Sequence, residues 1–175
     1  MKRLFSQCLM LVVISAFAVS GFVHAATPPK GGANQMKAIS GLPGVWLFNG
    51  RWRLKLTALA LPTKQNFGVY SPGQGHEIIV VRALLRNAMN ATSKTNMGAF
   101  VTDADGITYQ SQMVFDANPQ VAVNEGDAIL PPGATTRIQL PIDVPVGFVP
   151  VSVLLVHRFG DAKSFRIKVT KLTAT

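Results

Sequence analysis

The stretch that most constrains this chain runs from Leu130 to Pro145 and reads LPPGATTRIQLPIDVP. Small or apolar residues occupy every second position: Ala134, Thr136, Ile138, Leu140, Ile142 and Val144. The intervening positions carry mainly polar residues, including Arg137 and Asp143. A period of two framed by prolines is typical of a β-strand with one buried side, entered here through a Pro-Pro-Gly turn. The stretch therefore predicts an antiparallel β-sheet protein.

Further strand patterns recur along the chain between turn residues. They lie at Arg51–Leu61, Glu77–Asn87, Ala99–Thr102, Ile107–Met113, Val151–His157 and Phe165–Val169. The β-branched run from Ile78 to Val81 favours a central strand over a helix, and Asp103 to Gly106 predicts a hairpin turn. About seven or eight strands result, which predicts an all-β, immunoglobulin-like antiparallel β-sandwich, with a small β-barrel as the alternative.

The first 25 residues have the pattern of an export signal. Lys2 and Arg3 precede an apolar run from Leu9 to Val19, and Val23-His24-Ala25 resembles a small-residue cleavage site. Residues 26–44 are rich in Pro and Gly and predict a flexible leader, so that the sandwich would occupy residues 45–175. We therefore expect a periplasmic or secreted protein without a transmembrane helix after cleavage. Its single cysteine, Cys8, would leave with the signal.

The chain carries an excess of positive charge. Its net charge is +9, and it falls to +7 when Lys2 and Arg3 are removed with the signal. Such a charge favours anionic partners, although it also serves solubility alone. The alternation in Arg51–Leu61 places Arg51, Arg53 and Lys55 on one solvent-exposed face of the strand, while Arg166 and Lys168 share a second strand. These five cations form one patch if the two strands are neighbours, and two separate solvated faces if they lie on opposite sheets.

Aromatic residues add to the candidate ligand-binding set. If Asn49-Gly50 closes a two-residue hairpin, Phe48 pairs with Arg51 and Trp46 with Arg53, which allows cation–π contacts; alternatively, Trp46 is a buried plug. The segment from Pro62 to Gly75 predicts a long loop, in which Phe67 and Tyr70 either contact a ligand or clip the loop to the sandwich. The candidate set is Trp46, Arg51, Arg53, Lys55, Phe67, Tyr70, Arg166 and Lys168.

The sequence contains no strong motif for metal binding or catalysis. Asp103, Asp105 and Gly106 lack the later ligands of a calcium loop, so a plain turn is the better interpretation. Potential copper ligands have no ligand-like spacing: His76, His157, Met36, Met89, Met97 and Met113. The mature chain has no cysteine nucleophile and no Gly-x-Ser-x-Gly motif, and no pattern predicts a cofactor or a specific nucleic-acid contact. A periplasmic copper-binding protein and an envelope hydrolase remain the alternatives to a binding module.

Several of these segments, taken in order, resemble a family of small exported bacterial immunoglobulin-like domains that includes a secreted mycobacterial immunogenic protein. The resemblance rests on Trp52, the strand Ile79–Asn87, the segment Asp103–Tyr109, Leu130–Gly133 and Asp143–Pro145. It implies a β-sandwich in the cell envelope or outside the cell, and it assigns no catalytic residues. The prediction is an exported, non-enzymatic binding module whose partner is a protein or an anionic envelope polymer.

Overall fold

The computed structural model describes residues 36–61, 71–112, 114–115, 122–123, 129–157 and 163–169. Thirteen strands lie in this part of the chain: β1 (Ala38–Gly41), β2 (Leu47–Phe48), β3 (Trp52–Ala60), β4 (His76–Asn87), β5 (Ser93–Lys94), β6 (Met97–Thr102), β7 (Thr108–Gln110), β8 (Val114–Phe115), β9 (Ala122–Val123), β10 (Ile129–Leu130), β11 (Thr135–Pro145), β12 (Ser152–His157) and β13 (Ser164–Lys168). Eight of them have three residues or more. The described residues contain no helix, and hence none that could cross a bilayer.

The strands form two main sheets. The first sheet has the order β1-β13-β12-β6-β7, and the second has the order β2-β3-β4-β11-β8-β9. If β3, β4, β6, β8, β11, β12 and β13 are lettered A to G, the sheets contain the orders ABED and CFG of an immunoglobulin domain. Each sheet keeps two separate edges within the described residues. The predicted sandwich is therefore confirmed, and the barrel alternative is wrong.

The core lies between the inner faces of the two sheets and follows the predicted alternation. In β11, Ile138, Leu140, Ile142 and Val144 are buried, while Thr135 and Arg137 are exposed. Two residues of the other side, Gln139 and Pro141, are also buried, and Gln139 is polar yet only 8% exposed. Its Oε1 accepts a hydrogen bond from Nε of Arg82 at 3.3 Å, which offsets the cost of its burial.

The first strand lies in a segment that the sequence predicts to be irregular. Residues 26–44 lack periodicity, but Ala38–Gly41 form β1 and pair in parallel with β13, where Ile39 lies opposite Phe165. The prediction of a flexible leader is wrong for these four residues, because a short edge strand needs hydrogen bonds on one side and only one well-placed apolar residue. Ile39 supplies that residue by packing against the core. The predicted signal over residues 1–25 lies outside the described residues.

Gly41 is required where β1 passes β2. A Cβ atom added at this position would overlap the side chain of Leu47, which is buried in the core. We expect Gly41→Ala to lower the free energy of unfolding by about 1–3 kcal/mol, because the overlap forces a rearrangement of packed atoms. Urea denaturation followed by circular dichroism measures this loss. The exposed neighbour Ser40 provides the control, and an equal loss in Ser40→Ala would contradict the packing explanation.

The predicted turn between β6 and β7 is confirmed. The backbone N–H of Asp103 donates to the carbonyl of Ile107 at 3.1 Å, and Gly106 adopts a φ of 87°. Oδ1 of Asp103 accepts hydrogen bonds from the backbone N–H groups of Asp105 and Ile107 at 3.0 and 2.8 Å. This carboxylate therefore stabilises the turn itself, as Asx turns commonly do.

Candidate functional site

The β2–β3 hairpin borders the outer face of the second sheet and has a different register from the predicted one. Phe48 lies opposite Arg53, and the backbone N–H of Asn49 donates to the carbonyl of Trp52 at 3.2 Å, so the turn is centred on Gly50-Arg51, one residue later than predicted. Oδ1 of Asn49 accepts hydrogen bonds from the backbone N–H groups of Arg51 and Trp52 at 3.1 and 2.8 Å. The predicted pairs Phe48 with Arg51 and Trp46 with Arg53 are wrong, because the Asn49 side chain stabilises a turn that begins one residue later.

A cation–π contact forms in this hairpin with the corrected partner. The guanidinium carbon of Arg53 lies 4.9 Å from the centre of the Phe48 ring. Trp46 is 40% exposed, so the alternative of a buried plug is wrong for this residue. The second tryptophan, Trp52, takes that position and is 1% exposed. The hairpin thus presents one exposed indole and one arginine held over an aromatic ring.

Strand pairing extends the cations of β3 across β4 and β11. Three rows of outward-facing neighbours cross the strands: Arg53-Arg86-Thr135, Lys55-Leu84-Arg137 and Ala58-Arg82-Gln139. We name the five cations of these rows the basic face: Arg53, Lys55, Arg82, Arg86 and Arg137. Strands lie about 4.8 Å apart and alternate residues about 7 Å apart along a strand, so the five charges occupy a compact area.

Acidic residues of the described part lie at the other end of the sandwich. Glu77 is near the start of β4, Asp143 near the end of β11, and Asp103 and Asp105 in the turn after β6. Asp143 is six residues from Arg137 along β11, a separation of about 20 Å. Oδ1 of Asp143 lies 3.1 Å from Nδ1 of His76, within hydrogen-bonding distance. The described carboxylates therefore lie away from Arg53, Lys55, Arg86 and Arg137.

The arginines of the first row are held in place by neutral groups. Nε of Arg86 donates to the carbonyl of Gly133 at 3.1 Å, while Arg53 lies over Phe48. Arg53 and Arg86 are direct cross-strand neighbours, an arrangement that destabilises a sheet when both residues carry the same charge. The pair therefore opposes folding slightly and maintains a positive potential at the surface.

A groove of about 660 Å³ lies at the end of the basic face where β3 begins and β4 ends. Its lining residues are Trp46, Arg53, Arg86, Asn87, Ala88, Met89, Asn90, Pro132, Gly133 and Thr135. Asn87 fixes the groove's loops, because its Nδ2 donates to the carbonyls of Ala91 and Leu130, both at 2.8 Å. A second groove, of about 410 Å³, includes Arg82, Arg137 and Gln139 and continues along the same face.

The remaining predicted residues do not join this surface. Arg166 and Lys168 lie on β13 in the first sheet, so the interpretation of two separate faces is confirmed. Arg51 precedes β3 in the turn, and its carbonyl accepts a hydrogen bond from the backbone N–H of Ala88 at 3.0 Å. Phe67 and Tyr70 lie outside the described residues, and their assignment stays a prediction.

Three cations of the basic face were missed by the sequence patterns: Arg82, Arg86 and Arg137. The available signal was the period of two in Arg82-Leu84-Arg86, which marks one side of β4. Because β4 is otherwise apolar, these arginines appeared as exceptions in a central strand. They become part of one cationic surface because β4 pairs with both β3 and β11. The alternation within one strand does not reveal which strands pair.

The two histidines that suggested copper binding lie at opposite ends of the sandwich. His76 contacts Asp143, whereas the His157 ring stacks on Trp52 at 5.6 Å and its Nε2 lies 3.1 Å from the carbonyl of Lys94. Met97 is buried in the core. The described part of the chain contains no group of three His, Cys, Asp or Glu residues able to hold a metal. These residues thus form no common site with the basic face.

No protein-family model and no curated protein matches the chain. Among solved structures, it is similar to an uncharacterised β-sandwich protein from Clostridium difficile, with 17% identity over 81% of this chain and 99% of that one and a TM-score of 0.55. It is also similar to a secreted protein from Mycobacterium tuberculosis, with 19% identity over 75% and 98% of the two chains and a TM-score of 0.54.

These similarities define the class of fold, a small single β-sandwich. The mycobacterial neighbour is a secreted protein, which agrees with the resemblance drawn from the sequence segments. At these identities the agreement concerns the architecture, and the chemistry of the chain has to be argued from its own side chains.

Proposed function

We propose that the protein is an exported, non-enzymatic binding module of the cell envelope and that its basic face holds an anionic envelope polymer. The observation that carries this proposal is the alignment of five cations across three adjacent strands. The signal pattern of residues 1–25 supports export. The module acts in the periplasm or outside the cell.

The layout of the cations favours an extended polymer over a single small anion. The charges are spread over successive rows of a sheet face, and two grooves follow that face. A polymer that repeats its anionic groups can contact several rows at once, and each additional contact becomes effectively intramolecular. Long-range attraction by the positive face would also accelerate the first encounter.

Charge reversal at Arg53 tests this function. We expect Arg53→Glu to reduce affinity for heparin and for lipopolysaccharide about 5–10-fold at low salt, and the difference to shrink as salt screens the charges. The fold should tolerate the change, because a carboxylate opposite Arg86 replaces a like-charge pair by an opposite-charge pair. Titration calorimetry at several salt concentrations measures the affinities.

Lys168→Glu is the matched control, since it makes the same change of charge on the first sheet. A loss specific to Arg53→Glu supports recognition by the basic face. Equal losses in both variants would show that net charge alone attracts the polymer, and undetectable binding of either polymer by the unmodified protein would refute the proposal.

A further inference from the structure

The groove beside Trp46 combines features that the rest of the basic face lacks. Its volume of about 660 Å³ lies within the range of small-ligand sites. The outermost row of the sheet, Arg53-Arg86-Thr135, lines one side, and the loops that follow β4 and precede β11 line the other. The groove therefore offers charge, hydrogen-bonding groups and an aromatic surface in one place.

Arg53 and Arg86 suit an anion that can present two oxygens to a guanidinium, such as a carboxylate or a sulfate group. They are direct cross-strand neighbours, and each guanidinium is held by one neutral contact, the Phe48 ring for Arg53 and the Gly133 carbonyl for Arg86. A guanidinium binds a carboxylate or sulfate through parallel N–H donors. An anion placed between the two arginines would also offset their mutual repulsion. The relief of this repulsion adds to the free energy of binding.

Trp46 supplies an apolar surface next to this anion site. It is 40% exposed although large aromatic side chains are usually well covered, and it lines the same groove as the two arginines. An exposed indole offers a flat apolar face together with a polar N–H. The C–H face of a sugar ring is a matching partner, because its ring hydrogens are apolar while its hydroxyl groups point outward.

The remaining polar groups of the groove match hydroxyls. Asn90 and Thr135 line it, and an amide and a hydroxyl can each donate and accept hydrogen bonds. Asn87 holds the loop that carries Asn90, because its Oδ1 accepts from the backbone N–H of Met89 at 2.9 Å and its Nδ2 donates to Ala91. The groove is thus preorganised, which lowers the entropy lost on binding.

We infer that this groove is a subsite for one acidic sugar residue, with its carboxylate or sulfate between Arg53 and Arg86 and its ring against Trp46. The inference rests on the proposed function and names the polymer as an anionic polysaccharide. Single-stranded nucleic acid also stacks on aromatic residues, but such surfaces use successive aromatic platforms along the strand. Phe48 is also exposed, but its ring is in contact with Arg53 and does not line the groove, so Trp46 is the one aromatic residue among the groove's lining residues.

Four probes separate ring recognition from charge recognition: tetragalacturonate, neutral maltotetraose, inorganic polyphosphate and oligothymidylate. We expect Trp46→Ala to weaken tetragalacturonate binding about 10-fold, in line with the loss of one aromatic stacking contact, and to change polyphosphate binding by less than about twofold. Arg86→Gln should weaken both anionic ligands. Trp46→Phe, which keeps an aromatic ring, should retain most of the affinity for tetragalacturonate. Calorimetry with the full chain gives the affinities.

The outcomes distinguish this inference from the function on which it rests. If heparin and polyphosphate bind but Trp46→Ala leaves tetragalacturonate binding unchanged, the basic face is supported and the sugar subsite is overturned. Tighter binding of oligothymidylate than of tetragalacturonate would replace the sugar by a nucleic acid. If maltotetraose binds as well as tetragalacturonate, the arginine pair has no role in the subsite. If none of the anionic polymers binds, both proposals fail.

Discussion

Replacing Trp52 by alanine is expected to lower the free energy of unfolding by about 3–5 kcal/mol, the range for removing a large buried aromatic side chain. Trp52 opens β3, is 1% exposed and belongs to the main core cluster. Its ring also stacks on His157, with centroids 5.6 Å apart and an interplanar angle of 25°, so it joins the second sheet to β12 of the first. Truncation therefore removes apolar contacts and leaves a cavity at one end of the sandwich.

Urea denaturation followed by circular dichroism measures this loss for Trp52→Ala and Trp52→Phe. The phenylalanine variant keeps an aromatic ring and should lose less than half as much, because most of the buried volume remains filled. Trp46→Ala is the matched control, since it removes the chain's other tryptophan from an exposed position. Similar losses for Trp46→Ala and Trp52→Ala would contradict the assignment of Trp52 to the core.

The long strands could be predicted from the sequence because one side of each is buried. In the first part of β3 the alternation of apolar and polar residues matches the alternation of burial, up to a register shift between Leu56 and Ala58. In β11 the apolar positions are buried as the alternation predicts, but Gln139 and Pro141 between them are buried as well. The central strand β4 was recognised by the opposite pattern, a continuous apolar run flanked by turns. These patterns arise from the pleat itself, so they are visible before any partner strand is known.

The edges of the sheets could not be predicted in this way. A strand such as β1 pairs on one side and buries little, so its residues need no clear alternation. The register of the β2–β3 hairpin was also missed, because Asn-Gly favours a two-residue turn centred on itself while the Asn49 side chain here accepts two backbone N–H groups. In both cases local hydrogen bonds decided between conformations that the residue pattern allowed.

The candidate site was predicted in part. Arg53 and Lys55 were identified as outward-facing, and Trp46 was included, but the cations were expected to continue onto β13 if the strands were neighbours. Sheet order instead places β4 beside β3 and β11 beside β4. A surface that crosses three strands is built from residues far apart in the chain, such as Arg53 and Arg137. The alternation of residues within one strand carries no information about which distant residues become neighbours.

Asn87 contributes both to the stability of the fold and to the shape of the groove. After Trp52→Ala, Asn87→Asp is the second substitution for which we expect a large loss of stability. The side chain is fully buried opposite Trp52, donates through Nδ2 to Ala91 and Leu130, and accepts at Oδ1 from Met89. Aspartate keeps the shape and the acceptor but loses both donors. A buried carboxylate would then face two carbonyl oxygens. We expect Asn87→Asp to lower the free energy of unfolding by about 3–5 kcal/mol near neutral pH.

The loss in Asn87→Asp should depend on pH in a defined direction. Burial and the facing carbonyls raise the pKa of the new carboxyl above its unfolded value of about 3.9, and the protonated form can donate one of the two lost hydrogen bonds. A raised pKa contributes stability below the unfolded pKa, and this contribution disappears as pH rises through the folded pKa. Relative to the unmodified protein, the variant should therefore be less destabilised in mildly acidic solution than near neutral pH.

Asn90→Asp makes the same chemical change at an exposed position three residues further along the chain. Its stability should stay within about 0.5 kcal/mol of the unmodified protein at each pH, as is usual for surface substitutions. Urea denaturation of both variants across this pH range separates the effect of a new charge from that of its burial. A loss in Asn87→Asp that is small, or that grows as pH falls, would show that this amide does not hold the loops of the groove as the structure places it.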